Sequence, residues 1–409
     1  MTRRSISAPR TAVTPWLHRF AVLTALSTLA LIIIGGMVTS HEAGMAVPDW
    51  PNTYGYNMFF FPISGWVGGI LYEHSHRLMA TGVGLITTVL ALWLWVRETS
   101  GRERLLGIGA IFFVFSLMGA RVLPVYVTLA CAAPVAIVFA FYKMSRQHGS
   151  LRWWGIIAFA AVILQGVLGG LRVVWLKDEI GIFHATLAQL FFSLTCVIAL
   201  LTSRWWQTRA QLFDLQDARM PRWLLPATTL LLLAQLVLGA TMRHQHAGLA
   251  IPDFPLAYGK IWPAMDSSSV MQYNQHRVET TALNPITGLQ VGLQMAHRIT
   301  ALLICITITF CAWSARRLLG PRHPLTWLTL GWLGLILIQA LLGAATIWSN
   351  KAADIATTHV LIGALALALG VIASMISLRG LVLSRQVHLN LKEAPAPLAF
   401  PTQPSSVTR

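Results

Sequence analysis

Glu73 and His76 stand three residues apart in Tyr72-Glu73-His74-Ser75-His76-Arg77, immediately before the apolar run Leu78 to Val96. At that spacing a carboxylate and an imidazole share one helix face, and if the run is a membrane helix the pair sits just inside the bilayer, where ionisable groups are costly. The chain repeats the arrangement. Gln294-Met295-Ala296-His297-Arg298 opens the apolar run Ile299 to Trp313, with an amide in place of the acid. His184 and His359 also stand at the starts of apolar runs. A hydrogen-bonded polar residue at a helix start would account for any one of these histidines. Four of them at corresponding places in apolar surroundings describe two bis-histidine metal centres, and haem is the metal group that fits between helices. Arg77 and Arg298 follow their histidines directly and could pair with haem propionates, although Arg77 has a rival partner in Glu73 four residues earlier.

The difference between the two arrangements carries the functional reading. Glu73 occupies the place that Gln294 holds in the second arrangement, so only the first pair of histidines has an acid beside it. An electron-transfer centre needs no acid, whereas a centre that oxidises something needs a group to handle protons or to stabilise a developing cation. Chemistry is therefore assigned to the first half and a permanent redox cofactor to the second. Either charge state of Glu73 could serve, one by stabilising positive charge and the other by relaying a proton. His41, His74, His244, His246 and His276 lie in or beside the large loops and are read as solvated or loop-structural.

These residues need membrane helices to hold them. The 409 residues are 56% hydrophobic and 11% charged, with a mean hydropathy of +0.64, which excludes an ordinary soluble domain. The net charge of +16 gathers in short connections such as Arg97, Arg102 and Arg104, or Arg316, Arg317 and Arg322. That is the positive-inside pattern of a polytopic membrane protein, so no nucleic-acid partner is expected and membrane lipid is. The four cysteines all fall within apolar runs, which implies neither a disulfide framework nor a zinc site.

The run Phe20 to Val38 reads as a retained first helix behind a basic N-terminus, and residues 41–66 as a compact outer cap. Helix 2 is expected over Glu73 to Val96. Residues 105–142, bracketed by basic segments and broken at Ala120-Arg121-Val122-Leu123-Pro124, read as an inserted hairpin of two short helices. The hairpin contributes packing, offers no ligand, and is expected to be dispensable for haem content. Gln165-Gly166-Val167-Leu168-Gly169-Gly170 offers small residues against which a backbone or a flat ring can lie. A loop Trp175 to Gly181 then leads to the helix headed by His184.

Past a basic connection at 203–222 the chain repeats in order. Ala43-Gly44-Met45-Ala46-Val47-Pro48-Asp49 returns as Ala247-Gly248-Leu249-Ala250-Ile251-Pro252-Asp253, Tyr54-Gly55 as Tyr258-Gly259, and the Gln165 segment as Gln339-Ala340-Leu341-Leu342-Gly343-Ala344. The expected fold is an all-α polytopic membrane protein, with two parallel four-helix repeats about a pseudo-two-fold axis along the membrane normal and about ten transmembrane helices. The divisions are an N-terminal repeat over 1–202, a cytoplasmic linker over 203–222, a C-terminal repeat over 223–380 and a disordered tail over 381–409. All four histidines then fall near the outer face.

In Glu73-x-x-His76-Arg77, Gln165-Gly-x-Leu-Gly-Gly170, Phe183-His184-Ala185, His297-Arg298 and Thr358-His359 the chain resembles the haem A synthase family. The resemblance covers the eight core helices and both outer loops. It implies a two-step oxidation of a pyrrole methyl of haem O to the formyl of haem A, for cytochrome oxidase, in a bacterial inner membrane. It further implies that His76 and His184 hold the substrate haem O with Arg77, that His297 and His359 hold haem b with Arg298, and that Glu73 is the acid at the reacting edge. Haem O synthase and cytochrome oxidase assembly factors are the partners it implies, with homo-oligomerisation open. Many bacterial relatives carry a cysteine pair in the first outer loop, and this chain has none there. Two other classes compete: a di-haem electron-transfer protein acting with quinone, and a transporter, against which the one-sided placement of the site residues speaks.

Overall fold

The computed structural model describes residues 14–147, 149–208, 223–277 and 284–393. Its order is α1 (Pro15–Ser40), a two-stranded hairpin β1 (Asn52–Thr53) and β2 (Tyr56–Asn57), α2 (Gly68–Glu98), α3 (Gly101–Leu117), α4 (Leu123–Arg146), α5 (Arg152–Trp175) and α6 (Asp178–Thr202). There follow the short α7 (Arg204–Thr208), α8 (Leu224–His244), α9 (Ser267–Gln275), α10 (Gly288–Leu319), α11 (Pro324–Trp348) and α12 (Ala353–Glu393). Among the described residues nine helices are long and apolar enough to cross a membrane. The chain is an all-α polytopic membrane protein. The remaining member of the expected ten is α3, whose 17 residues make roughly 26 Å of helix, just short of a ~30 Å hydrocarbon layer.

Sequence chemistry sets the helix ends. Pro15 and Pro324 open α1 and α11, where a missing N–H costs nothing. Thr287 and Gln290 close a reciprocal capping box on α10. His323 caps α11 by accepting from the Leu325 N–H at 3.1 Å, and burial holds this imidazole below its usual pKa, in keeping with an acceptor nitrogen. Three boundaries differ most from expectation. α2 begins at Gly68, a turn earlier than expected, and α6 begins at Asp178, so the connection after α5 shrinks. Glu179 suits a helix N-terminus, which the apolar run alone does not reveal. α12 runs past residue 381 to Glu393, because nothing between Gly380 and Pro395 breaks a helix. The rest of the expected tail, 394–409, lies outside the described residues, as do 1–13 and most of the expected linker at 209–222.

Helix contacts close two rings of four. α1, α2, α5 and α6 form one, through the pairs α1·α2, α2·α5, α5·α6 and α1·α6, and α8, α10, α11 and α12 form the other, through α8·α10, α10·α11, α11·α12 and α8·α12. The rings meet along α1·α12, α6·α12 and α6·α8. The hairpin α3–α4 lies outside the first ring and packs on α5, where Ile111, Tyr126 and Leu129 share a buried cluster with Ile163, Val167 and Leu171.

The two large loops are built alike. In each, an aspartate accepts from the two N–H groups of a Tyr-Gly turn: Asp49 from Tyr54 at 2.7 Å and Gly55 at 2.8 Å, and Asp253 from Tyr258 at 2.7 Å and Gly259 at 2.8 Å. Both residues of each turn have positive φ, the hairpin geometry that glycine relieves. The tyrosine hydroxyls donate to Ala46 and Ala250 carbonyls. The second loop also contains α9, absent from the sequence reading. Asp266 caps it, and the Ser268 hydroxyl together with Ser269 holds that carboxyl below the usual carboxylate range.

Candidate active site

The four histidines lie near the loop ends of α2, α6, α10 and α12, each half-buried. Their surroundings match. A Cβ built on Gly35 of α1 would lie 2.9 Å from Cε1 of His76, one on Gly169 of α5 3.1 Å from Cε1 of His184, and ones on Gly239 of α8 and Gly343 of α11 3.2 Å from Cε1 of His297 and His359. Each imidazole thus lies in a notch that only glycine leaves open. In all four, Nδ1 is buried and has no hydrogen-bond partner. His76 and His184 sit against α1 and α5 of the first ring, and His297 and His359 against α8 and α11 of the second, so each ring holds one pair. The Gln165 amide donates to the His184 carbonyl and the Gln235 amide to the His297 carbonyl, both at 2.9 Å, while Gln339 makes a long 3.4 Å contact with Nε2 of His359.

This donor set fits haem in both rings. A soft, neutral nitrogen pair on facing helices suits axial ligation, and orphaned buried polar atoms beside shaped notches are what a packing role leaves unexplained. The sequence marked Gly169 and Gly343 as small residues for a flat ring to lie against. The rings that lie there are imidazoles. Gly35 and Gly239 had no motif to betray them.

Glu73 is buried, 4% exposed, and lies under the first loop. Its Oε2 accepts from the Val47 N–H at 2.8 Å and its Oε1 from Arg77 Nη2 at 2.5 Å. Gln294 does the same work in the second half, accepting from the Ile251 N–H at 2.6 Å. Of the two partners open to Arg77, the structure shows Glu73. The other N–H groups of its two Nη atoms donate to Asp49, Asn52 and Val47 carbonyls at 2.6, 2.9 and 2.8 Å. Arg77 is a clamp for the loop. Arg298 reaches two matching carbonyls, Asp253 at 2.7 Å and Leu256 at 2.9 Å, but the amide Gln294 stands where Arg77 has Glu73, and its Nε is buried without a partner. The second arginine is the one with a donor still to place.

Two residues escaped the sequence reading or were read otherwise, and a third, His74, keeps a loop-structural role. His244, placed with the loop histidines, packs on α6: a Cβ on Gly181 would lie 2.5 Å from its Cε1. His74 is fully buried, with Thr53 Oγ1 3.1 Å from its Nδ1 and the Trp66 ring against it. Arg172 of α5 lies against the first loop, where a Cβ on Gly44 would be 2.8 Å from its Nη1. No motif flags His244 or Arg172, because their neighbours come from distant parts of the chain.

A family model described as cytochrome oxidase assembly protein matches residues 115–371. The chain belongs to that family. Among similar curated proteins, one from Bacillus cereus (strain ATCC 14579) named heme A synthase is 23% identical over 383 residues, covering 91% of this chain and 97% of its own length. Others of the same name, from Bacillus cereus (strain 03BB102) and Bacillus anthracis, are 23% identical over 349 residues, covering 83% of this chain and 86% of theirs. The matched segment contains three of the four notched histidines, His184, His297 and His359.

Proposed function

We propose that the chain is a haem A synthase, an integral membrane oxidoreductase that converts the pyrrole methyl of haem O into the formyl of haem A. The observation that carries this is the pairing of two alike imidazole sites of which only the first has a carboxylate beneath its loop; the family membership supports it. In this reading residues 1–202 and 223–380 are two repeats about an axis along the membrane normal. His76 and His184 receive haem O as substrate. His297 and His359 hold haem b, and Arg298 offers its remaining donors to a propionate. Haem b, when bound, supplies one-electron redox chemistry.

The chain's own residues do the positioning. The glycine notches fix the imidazole planes, and Gln165 and Gln235 tie the backbone at His184 and His297 to neighbouring helices. The loops roof the sites and limit water. With both oxygens already accepting, Glu73 is better arranged to present a fixed negative charge than to pass a proton, so we assign it stabilisation of positive charge developing at the methyl carbon. Arg77 holds that carboxylate and the loop rather than the substrate. We place the protein in a bacterial inner membrane with both sites near the outer face, alongside haem O synthase and cytochrome oxidase assembly factors. A homo-oligomer is compatible with this arrangement.

Haem extraction from protein purified out of haem O-producing cells tests the proposal. It should yield haem b together with haem O or its oxidised products, and Glu73→Gln should keep haem b and bound haem O while forming little haem A. A single kind of haem would return the function to di-haem electron transfer, and undiminished haem A from Glu73→Gln would remove the acid from the chemistry.

A further inference from the structure

The first loop runs into α2 through a stretch without charge. From Asn52 to Tyr72, 21 residues, the chain has no Asp, Glu, Lys, Arg or His. Two short 3-10 turns, Met58–Phe60 and Ile63–Gly65, order its middle, and the segment is apolar on both faces. Inward, the Phe61 and Trp66 rings pack on His74 at centroid distances of 5.2 and 4.6 Å. Outward, Phe60 is 80% and Ile63 83% exposed, and Phe59 and Val67 are exposed as well. An ordered segment that turns a group of large apolar side chains outward, with no charge among them, marks a contact surface.

Its position says what covers that surface. α2, which follows at Gly68, has 31 residues and is roughly 46 Å long, close to the ~40–45 Å of a bilayer with its headgroups. With Arg97 and Glu98 at one surface, Gly68 stands at headgroup level on the other, and so does the segment just before it. The outward side chains continue the lipid-facing side of α2, where Leu71 and Leu85 are exposed. The second loop repeats the arrangement. In the register that aligns Tyr54 with Tyr258, Asn57 and Met58 fall opposite Ile261 and Trp262, and Ile261 is 88% exposed with Trp262 exposed beside it. Apolar groups just past the turn are thus common to both loops, whereas a protein docked on one half calls for one such patch, with a polar rim that the uncharged first loop does not offer.

We propose that residues 56–67 lie in the loop-side interface of the bilayer, with Phe59, Phe60, Ile63 and Val67 seated among the lipid chains, so that lipid anchors the roof over His76. The inference holds whatever the two imidazole pairs bind. It gives the first loop two attachments: Arg77 draws its Val47, Asp49 and Asn52 carbonyls onto α2 from within, and the bilayer holds the Phe60–Ile63 edge from outside. Large apolar groups at headgroup depth leave water for the acyl boundary, which is how interfacial segments are held in the plane of a membrane.

The test is spin-label accessibility in full-length protein reconstituted into phospholipid nanodiscs, with the native Cys131, Cys196, Cys305 and Cys311 replaced. Labels on Phe60→Cys and Ile63→Cys are compared with a lipid reference, Leu85→Cys on the exposed side of α2, and a water reference, Gln275→Cys at the exposed end of α9. Collisions with oxygen, which concentrates in lipid, and with a water-soluble nickel chelate are measured at each site. The ratio of oxygen to nickel collisions at residues 60 and 63 should be several-fold above that at 275 and approach that at 85. A ratio equal to that at 275 would overturn the inference, because the segment would then stand in water. Protection from both reagents would overturn it as well, since a protein and not lipid would be covering the segment. Wild-type protein supplies a second measurement that needs no substitution: a photoreactive diazirine carried on a phospholipid acyl chain should attach to the peptide containing residues 56–67, and attachment to α2 without any to that peptide would contradict the placement.

Discussion

The Glu73–Arg77 pair shows how one residue pair can carry both architecture and chemistry. Both side chains are nearly inaccessible, at 5% and 9% exposure, so removing Arg77 leaves the Glu73 charge buried and uncompensated, whereas Glu73→Gln leaves Arg77 its three loop carbonyls. Arg77→Ala is expected to cost about 3–5 kcal/mol, and the double variant Arg77→Ala/Glu73→Gln to recover part of that, because the amide still accepts from Val47 as Gln294 does from Ile251. Thermal unfolding in detergent measures both, and a double variant as unstable as the single one would mean that the charge pairing is not what anchors the loop. The spacing of four was enough to nominate this pair. The carbonyl partners of Arg77 were not readable, since Val47, Asp49 and Asn52 reach it only once the loop has folded back over α2. For the same reason the motif offered Arg77 for propionate binding, while its Nη donors are taken by Glu73 and three loop carbonyls.

At the level of elements, hydropathy exposed the helices and the inserted hairpin, but boundaries shifted where polar residues belong to a helix, as at Asp178, and α9 carries no apolar run by which to find it. Helix contact geometry leads to a prediction about the notches. A methyl at Gly343, 3.2 Å from the His359 ring, must push the imidazole by a few tenths of an ångström. Gly343→Ala should therefore shift the ligand-field spectrum of bound haem b or reduce its retention. Gly169→Ala, at 3.1 Å from His184, should leave haem b untouched and weaken haem O binding. An unaltered spectrum and full occupancy in both variants would mean that the notches do not set the rings. The second loop has its own signature. Burial, with Tyr273 and Asp253 nearby, pushes the Tyr258 phenol up to about 12 from 10.0. A raised pKa means that the neutral form is the one stabilised, so this contribution is complete below pH 10 and lost as pH rises through about 12. Ultraviolet phenolate titration of wild type against Tyr258→Phe should show one late-titrating tyrosine missing in the variant; identical curves would contradict the assignment.

Across the whole molecule, the recurrence of loop and helix segments in order led to the expectation of two repeats, and the helices close two rings of four. What the sequence undervalued was the hairpin. Trp50 of the first loop lies between the Tyr126 ring, 4.4 Å away, and Gly170 of α5, so α4 forms one wall of the loop's seat. In a bilayer the apolar face bared by deleting the hairpin meets lipid, and the loss is one of packing rather than of hydrophobic burial. Joining α2 to α5 without α3 and α4 should thus preserve insertion and haem b while weakening haem O binding in the first half; full haem O binding would restore the simpler expectation that the hairpin is dispensable. The central claim concerns the division of labour between the two rings, cofactor in one and substrate in the other. Its most direct test is the haem b content of four single variants, purified alike and extracted. His297→Ala and His359→Ala should lack haem b, whereas His76→Ala and His184→Ala should retain it and make no haem A. Equal loss of haem b from all four would contradict the account.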